Sequence, residues 1–305
     1  MDAGDLLFKK YSAPIPNDGE EETLQKAYLI VDSFNLMGYD AMGVGDDDLS
    51  LGKEFLLEVS KRAKFPILSS NIFDEASMSP LFQPYVIKDI NGLKMGIFSL
   101  LSPETLLGSS NPRRKGIVIM SPAETAQNVI KELKSKVDWI ILLSHLGYPK
   151  DVDIAQSIPG IHVIVGGHSG VNLTNPPTFG NTLIVQTASK GMYGARVDLN
   201  LSDNKAGFYN RTTKSSMENN LKNLQQRLTM GKAPEAEKDQ WRRAKESIIK
   251  TLEQLESKNQ FTFFLSTLNE GTKDHPEIKG MVEAYKARFK REEKPDSPRP
   301  PLGKH

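Results

Sequence analysis

The sequence of 305 residues contains no cysteine, no apolar run near the length of a membrane span and almost no excess of either charge. The lack of cysteine excludes disulfides, thiolate metal sites and a cysteine nucleophile within this sequence. A transmembrane helix needs about 20 successive apolar residues, so we expect no membrane span. The formal net charge of +1 gives no global field that would attract nucleic acid, and we expect no nucleic acid partner.

Short apolar runs alternate with amphipathic segments over the first two-thirds of the chain. Helices are predicted over 19–38, 51–63, 122–136 and 151–157. Strands are predicted over 41–44, 65–71, 84–90, 93–100, 138–143, 161–165, 182–187 and 195–201. Asn91-Gly92 separates two of these strands, and this dipeptide is the strongest short signal for a β-hairpin. The alternation predicts a mixed α/β (α+β) fold, in which a two-sheet β-sandwich is flanked by helices.

The pattern changes after about residue 215, where apolar residues recur at steps of three and four. The two series are Met217, Leu221, Leu224 and Leu228, then Trp241, Ala244, Ile248, Leu252 and Leu255. Gly231 and Pro234 lie between them. This spacing predicts an appended C-terminal helical hairpin with a narrow apolar seam. A strand over 261–266 and a helix over 275–291 are predicted to follow.

These patterns divide the chain into four predicted units. They are a core over 1–205, a helical hairpin extension over 206–260, a strand and helix packing back on the core over 261–293, and a Pro-rich linker or tail over 294–305. A Pro-rich segment is typical of a semi-rigid linker, so an additional domain after it is one expectation and a disordered tail is the other. The first residues have the character of a strand-to-loop junction, which leads us to expect a strand upstream of them.

Metal-type ligands follow four predicted turns at strand ends. His145 and His168 each end an apolar run, and Asp5 and Asp46 each follow a glycine. The carboxyl ends of core strands are where open α/β folds place ligands. Imidazole is the commonest side-chain metal ligand, and its combination with carboxylates suits Mn, Zn or Fe. The sequence therefore predicts a divalent metal site, for which glycine before three of the ligands lets the backbone turn sharply.

The order and wording of these segments resemble the calcineurin-like metallophosphoesterase domain of the 5′-nucleotidase family. The matching stretches are residues 2–5, 36–46, 65–72, 144–147 and 159–169, and the resemblance covers about residues 1–201. It implies hydrolysis of phosphate esters by a metal-activated water between two packed sheets. Carried over by position, it implies metal ligands at Asp5, Asp46, His145 and His168, with Asp46 in place of a family asparagine.

The sequence departs from the family pattern at several positions. Asp47 stands where the family has the histidine that protonates the leaving group, so Asp47 is the candidate catalytic residue. Gly170 stands where a further ligand is expected, and the family's first motif, Asp-x-His, would lie upstream of Asp5. One metal site is therefore expected rather than two. The basic residues 113–115 could meet a phosphate, although a solvated loop is the favoured interpretation.

Two functional hypotheses follow, with a third as a minor alternative. The first is a divergent metal-dependent phosphoester hydrolase of the 5′-nucleotidase type, acting on a small phosphoester. The second is a catalytically degenerate module of the same fold that serves in binding or scaffolding. The third is that Asp46-Asp47-Asp48 holds a hard cation such as Ca²⁺ or Mg²⁺, although the triplet lacks the spacing of a calcium loop. The resemblance alone implies nucleotide catabolism and a periplasmic or other extracytoplasmic location.

Overall fold

The computed structural model describes residues 1–8, 20–108 and 111–289. Its α-helices are α1 (Glu20–Met37), α2 (Gly52–Arg62), α3 (Pro122–Leu133), α4 (Tyr148–Ser157), α5 (Arg211–Met230), α6 (Glu235–Leu255) and α7 (Pro276–Arg288). Its strands are β1 (Met42–Gly43), β2 (Ile67–Leu68), β3 (Ile72–Asp74), β4 (Tyr85–Ile90), β5 (Leu93–Leu101), β6 (Ile117–Ile119), β7 (Trp139–His145), β8 (Val163–Gly166), β9 (Thr178–Phe179), β10 (Thr182–Val185), β11 (Tyr193–Asn200), β12 (Phe208–Asn210) and β13 (Asn259–Thr267). The predicted linker or tail over 294–305 lies outside the described residues. The same holds for residue 19 of the predicted helix 19–38 and for residues 290–291 of the predicted helix 275–291.

The central layer is a six-stranded sheet with the order β4-β5-β7-β8-β10-β9. The four inner strands run parallel, and β4 and β9 add antiparallel edges. All seven residues of β7 are buried, as expected for a strand that is covered on both faces. β4 and β5 form the hairpin predicted at Asn91-Gly92. Because β7 and β8 are parallel neighbours, the residues that follow them meet at one edge of the sheet.

The two faces of the central sheet pack against different elements. Alternate side chains of β7 point to opposite faces and therefore belong to different core clusters. Ile140 and Leu142 belong to a core cluster with residues of α3 and α4. Trp139, Ile141 and Leu143 belong to a second cluster, with Ala41 just before β1, with Leu68 of β2 and with residues of the sheet β11-β13-β12. The predicted sandwich flanked by helices is therefore confirmed. Its second layer is divided into two small sheets.

Helices α1 and α2 cover the outer side of the short strands near the candidate site. Their apolar residues form a third cluster with β1, β2, β3 and β6. Helix α7 lies against α1, where the Tyr285 hydroxyl donates to the Glu22 carbonyl over 3.2 Å and Arg288 pairs with Glu21 at 2.8 Å. The segment after the hairpin thus contributes a strand to the second layer and a helix to this outer cover.

Helices α5 and α6 form the predicted hairpin, and no residue of either is buried. The predicted seam residues Met217, Leu221, Leu224 and Leu228 are half-buried. Gly231 ends α5 with a φ of 70°, a backbone conformation that glycine adopts at no steric cost. None of the described helices combines the length and apolar character needed to cross a membrane.

Candidate metal centre

The two predicted histidines lie side by side at the carboxyl edge of the central sheet. Ser144 pairs in register with Gly166, so His145 ends β7 and His168 follows β8 by two residues. The His145 side chain is fully buried, whereas that of His168 is 39% exposed. His168 has a φ of 64°, a left-handed conformation that is uncommon for residues other than glycine. The ring centroids lie 5.1 Å apart.

The two carboxylate-bearing turns meet because both carry glycine. A Cβ on Gly4 would lie 2.3 Å from the Gly45 nitrogen, and a Cβ on Gly45 would lie 2.3 Å from the Asp5 nitrogen. Gly4 also has a φ of 105°. The sequence predicted a sharp turn at each glycine that precedes a ligand, yet of these three glycines only Gly4 has a positive φ. Close backbone approach explains Gly45, and contact with the His145 ring explains Gly167, whose Cβ would lie 3.2 Å from Nδ1.

One donor atom from each of Asp5, Asp46, His145 and His168 falls within 4.8 Å of the others. His145 Nε2 lies 3.2 Å from Asp5 Oδ2 and 3.2 Å from Asp46 Oδ1, and His168 Nδ1 lies 3.4 Å from Asp46 Oδ1. Two imidazole nitrogens and two carboxylate oxygens form a donor set that suits Mn, Zn or Fe. The structure thus brings together all four residues named from the sequence. Their role as ligands remains a prediction.

Three of the four side chains are fixed by a partner on the side away from the centre. His145 Nδ1 lies 2.8 Å from the Ala3 carbonyl, which leaves Nε2 facing the carboxylates. The Asp47 backbone N–H donates to Asp5 Oδ1 over 2.8 Å, and Arg113 Nη1 donates to Asp46 Oδ2 over 2.8 Å. Each carboxylate therefore has one oxygen held by the protein and the other turned towards the histidines. Outer partners of this kind orient metal ligands in proteins.

The charges of the centre compensate one another strongly. Burial on its own would lower the pKa of His145, but hydrogen bonds to Asp46 and Asp5 and the charge of Asp5 raise it to about 10. Burial would likewise raise the pKa of Asp46, but its hydrogen bonds to His145 and His168 hold it well below its usual range. Asp46 therefore remains ionised, and it stabilises positive charge on the His145 imidazole.

Arg113 reaches this centre, which corrects the interpretation of residues 113–115 as a solvated basic loop. The Arg113 side chain is only 8% exposed, and its Nη1 contacts both Asp46 Oδ2 at 2.8 Å and Asp47 Oδ1 at 3.0 Å. Asn111 accepts from the Arg113 backbone N–H, and Pro112 begins a short 3-10 turn. This turn directs Arg113 inwards, whereas Arg114 and Lys115 are exposed.

Asp48 has a structural role that the sequence did not predict. Its fully buried carboxylate accepts the backbone N–H groups of Asp5, Leu6, Leu7 and Gly45 over 2.8 to 3.0 Å. Burial and the charge of Asp5 raise the pKa of Asp48 to about 7, against the effect of these donors. Since Asp46 faces the histidines and Asp48 faces backbone, the acidic triplet is not one hard-cation site, and that alternative is wrong.

Asp151 is a further buried carboxylate, and it lies next to Ser144 of β7. The Ser144 hydroxyl donates to it, and burial raises its pKa to about 7. Nearby, the Ser169 hydroxyl accepts from Gln186 Nε2 over 3.0 Å and from the Tyr148 backbone N–H over 3.2 Å. These contacts hold the loop that carries His168. The sequence shows Ser144 and Ser169 only as polar residues inside or just after an apolar strand. It does not show which residues they bind, because these partners lie elsewhere along the chain.

His162 lies at the opposite end of the same strands and differs from the two histidines of the centre. Its Nδ1 accepts from the Ile140 backbone N–H, and its Nε2 donates to the Asn204 carbonyl, both over 2.9 Å. Burial lowers the pKa of His162, which favours the neutral ring that this pattern requires. With both nitrogens engaged by backbone, His162 acts as a structural histidine.

Comparison with known proteins finds sequence relatives, although no family model matches. A 5′-nucleotidase of Vibrio cholerae is 34% identical over 209 residues, which are 58% of this chain and 38% of that protein. The chain therefore spans well under half the length of the curated relatives it matches. Among solved structures, the calcineurin-like phosphoesterase YfkN of Bacillus subtilis matches 94% of this chain and 82% of its own, with a TM-score of 0.61 at 17% identity.

A sulfate thiohydrolase, SoxB of Thermus thermophilus, also shares the fold, with a TM-score of 0.65 over 95% of this chain and 42% of its own at 18% identity. Similarity to solved structures at this level of identity concerns the fold, which does not determine substrate. The fold of this chain is thus that of the calcineurin-like metallophosphoesterases. Over the matched residues, its sequence is similar to proteins of the 5′-nucleotidase family.

Proposed function

We propose that this chain binds one divalent metal ion, Mn²⁺, Zn²⁺ or Fe, and hydrolyses a small phosphoester in the manner of the 5′-nucleotidase type. The observation that carries the proposal is the convergence of Asp5, Asp46, His145 and His168 within 4.8 Å. Nucleotides as substrates, a role in nucleotide catabolism and a periplasmic or other extracytoplasmic location rest on the family resemblance alone. The division into a core, a hairpin extension and a returning segment, with a further domain after them, is likewise a proposal.

The residues of this chain would take distinct parts in such a reaction. A divalent metal supplies Lewis acidity towards a phosphoryl oxygen and lowers the pKa of a water molecule. His145 and the two carboxylates would form the inner wall of the site, and the half-exposed His168 would lie on the side open to substrate. Asp47 is the proposed catalytic residue by position, and its carboxylate contacts Arg113 at 3.0 Å.

The test is metal content followed by turnover. The purified protein is loaded with Mn²⁺, Zn²⁺ or Fe²⁺, its metal content is measured by elemental analysis, and hydrolysis is followed on p-nitrophenyl phosphate and on nucleoside monophosphates. We expect metal-dependent hydrolysis that is lost in His168→Gln and retained in His275→Gln, a matched exchange at an exposed helix start far along the chain. A fully loaded protein with no turnover on any phosphoester contradicts the proposal.

The second candidate function is a binding or scaffolding module that has lost catalysis. It is favoured by the ion pair between Asp47 and Arg113 at the position of the family histidine, and by Gly170, which offers no side chain as a ligand. Elemental analysis separates the two candidates at the first step. A protein that binds no divalent metal under any loading condition supports the module.

A further inference from the structure

Asp46 faces two separate cationic partners with its two oxygens. Its Oδ1 lies 3.2 Å from His145 Nε2 and 3.4 Å from His168 Nδ1, while its Oδ2 accepts from Arg113 Nη1 over 2.8 Å. A metal ion held by the histidines and Asp5 would therefore share Asp46 with the guanidinium. The buried state of Asp46 and Arg113 keeps solvent from screening this interaction.

The guanidinium is anchored on several sides. Arg113 Nη2 donates to the Thr105 carbonyl over 3.4 Å, and Asn111 Oδ1 accepts from Arg113 Nε over 3.3 Å. The loop that carries Arg113 is itself tied to helix α2, because Lys53 Nζ donates to the Gly116 carbonyl over 2.9 Å. Arg113 is therefore a fixed part of the wall beside Asp46 and Asp47.

We propose that Arg113 is a resident counter-cation that shares Asp46 with the bound metal and so sets the affinity of the site. It is a positioning residue, and the inference rests on the proposed metal site. The formal charges of Asp46, Asp47 and Arg113 sum to −1. Any variant that alters this sum should change the affinity for a divalent cation, whereas a variant that restores the sum should restore the affinity.

The direction of each change follows from charge. Arg113→Gln removes the guanidinium beside Asp46 and Asp47 and makes the sum −2, so the site should bind Mn²⁺ more tightly. Asp46→Asn makes the sum zero and should weaken binding. The double variant returns the sum to −1. At separations of a few ångströms, one unit of charge is worth roughly tenfold or more in affinity.

The experiment measures Mn²⁺ affinity by isothermal titration calorimetry in the full chain, with circular dichroism to verify folding. We expect about tenfold tighter binding in Arg113→Gln, about tenfold weaker binding in Asp46→Asn, and an affinity within about threefold of wild type in the double variant. Arg114→Gln is the matched control, because this neighbour is exposed, and it should leave the affinity unchanged.

Arg113→Lys separates charge from shape and replaces Arg113→Gln if the latter does not fold. A lysine keeps the charge, so affinity should stay near the wild-type value. If the lysine variant behaves like the glutamine variant, or if the two single variants shift affinity in the same direction, the inference is overturned. Absence of Mn²⁺ binding by the wild-type chain overturns it as well.

Absence of Mn²⁺ binding would refute both proposals, whereas the pattern of affinities among the variants is distinct from a failure of the proposed function. The readout is Mn²⁺ affinity in the absence of any phosphoester. A protein whose Mn²⁺ affinity follows the predicted charge pattern, yet which hydrolyses nothing, refutes the hydrolase proposal and supports the role of Arg113. A protein that hydrolyses a phosphoester, but whose Mn²⁺ affinity is unchanged by substitution of Arg113, supports the hydrolase proposal and refutes the role of Arg113.

Discussion

The two halves of the candidate metal centre are built in different ways. The inner half consists of Asp5, Asp46 and His145, and each of these is held by a partner behind it. The outer half is His168, whose half-exposed side chain projects from a loop in a left-handed conformation. The inner half therefore belongs to the folded core, whereas the outer half depends on one loop. Stability and metal binding should respond differently to changes in the two halves.

The largest effect is expected for His145→Ala in the inner half. The pKa of this imidazole is raised to about 10, so at neutral pH it is charged and compensates Asp5 and Asp46. Its removal takes one cation from Asp5 and Asp46 and leaves a cavity at a fully buried position, so it should lower the free energy of unfolding by roughly 3 to 5 kcal/mol. Urea denaturation in the presence of a chelator measures this loss. An unchanged midpoint would show that the inner half is not part of the stabilised core.

A second effect is expected from pH, because folding raises the pKa of several groups of this region, among them His145 and Asp48. A group with a raised pKa stabilises the fold fully below its unfolded pKa, and this stability is lost as the pH rises through the folded pKa. For His145 the loss runs from about 6.5 to about 10, and for Asp48 it runs from about 4 to about 7. The melting temperature in chelator should therefore fall between pH 6 and pH 10.

The control for this pH dependence is His145→Gln, which has no titrating side chain. Its melting temperature should fall less steeply than that of the wild type between pH 8 and pH 10. Equal slopes for the two proteins would assign the pH dependence to other groups.

His168→Ala in the outer half should separate metal binding from stability. The side chain is 39% exposed, so its loss should alter the free energy of unfolding by no more than about 0.5 kcal/mol. Mn²⁺ affinity should nevertheless fall further than it does in Ser169→Ala. Calorimetry and urea denaturation on the same samples measure both quantities. A variant that lost stability but kept its Mn²⁺ affinity would reverse the comparison.

The smallest effect is expected for Ser169→Ala, next to His168. The Ser169 hydroxyl accepts from Gln186 and from the Tyr148 backbone, so it helps to hold the loop. One such hydrogen bond is worth about 1 kcal/mol, which corresponds to a loss of roughly fivefold or less in Mn²⁺ affinity. If Mn²⁺ affinity is unchanged while folding is intact, the loop is positioned by its backbone alone.

The sequence is sufficient to predict the part of the site that depends on strand ends. An apolar run that stops at a histidine shows locally where His145 and His168 lie, and the same holds for the turns before Asp5 and Asp46. The positions of Asp48 and Arg113 are different. Asp48 binds backbone about 40 residues away, and Arg113 binds side chains 66 and 67 residues away. Such pairings have no local period and become visible only when the chain is folded.

The fold, too, was predictable where the sequence signal is local and was not predictable where it depends on distant pairings. The strands and helices of the central layer were predicted because their apolar periodicity extends over many residues. Strands β3, β6, β9 and β12 were not predicted, since each has only two or three residues and gives no measurable alternation. The division of the second layer into the small sheets β1-β2 and β11-β13-β12 depends on pairings between distant residues, and of the four short strands only β12 takes part in it. It could not be inferred from patterns along the chain.

The hydrogen bond between Ala3 and His145 joins residues that are 142 positions apart. Contacts of such separation close late in folding, because the entropy of the intervening loop must be overcome first. Ala3 precedes the central sheet along the chain, yet we expect its segment to reach its final place only after the central sheet exists. A metal ion would thus be captured by a nearly finished protein. The ion would stabilise the segment around Ala3 at the end of folding and would not serve as a nucleus for folding.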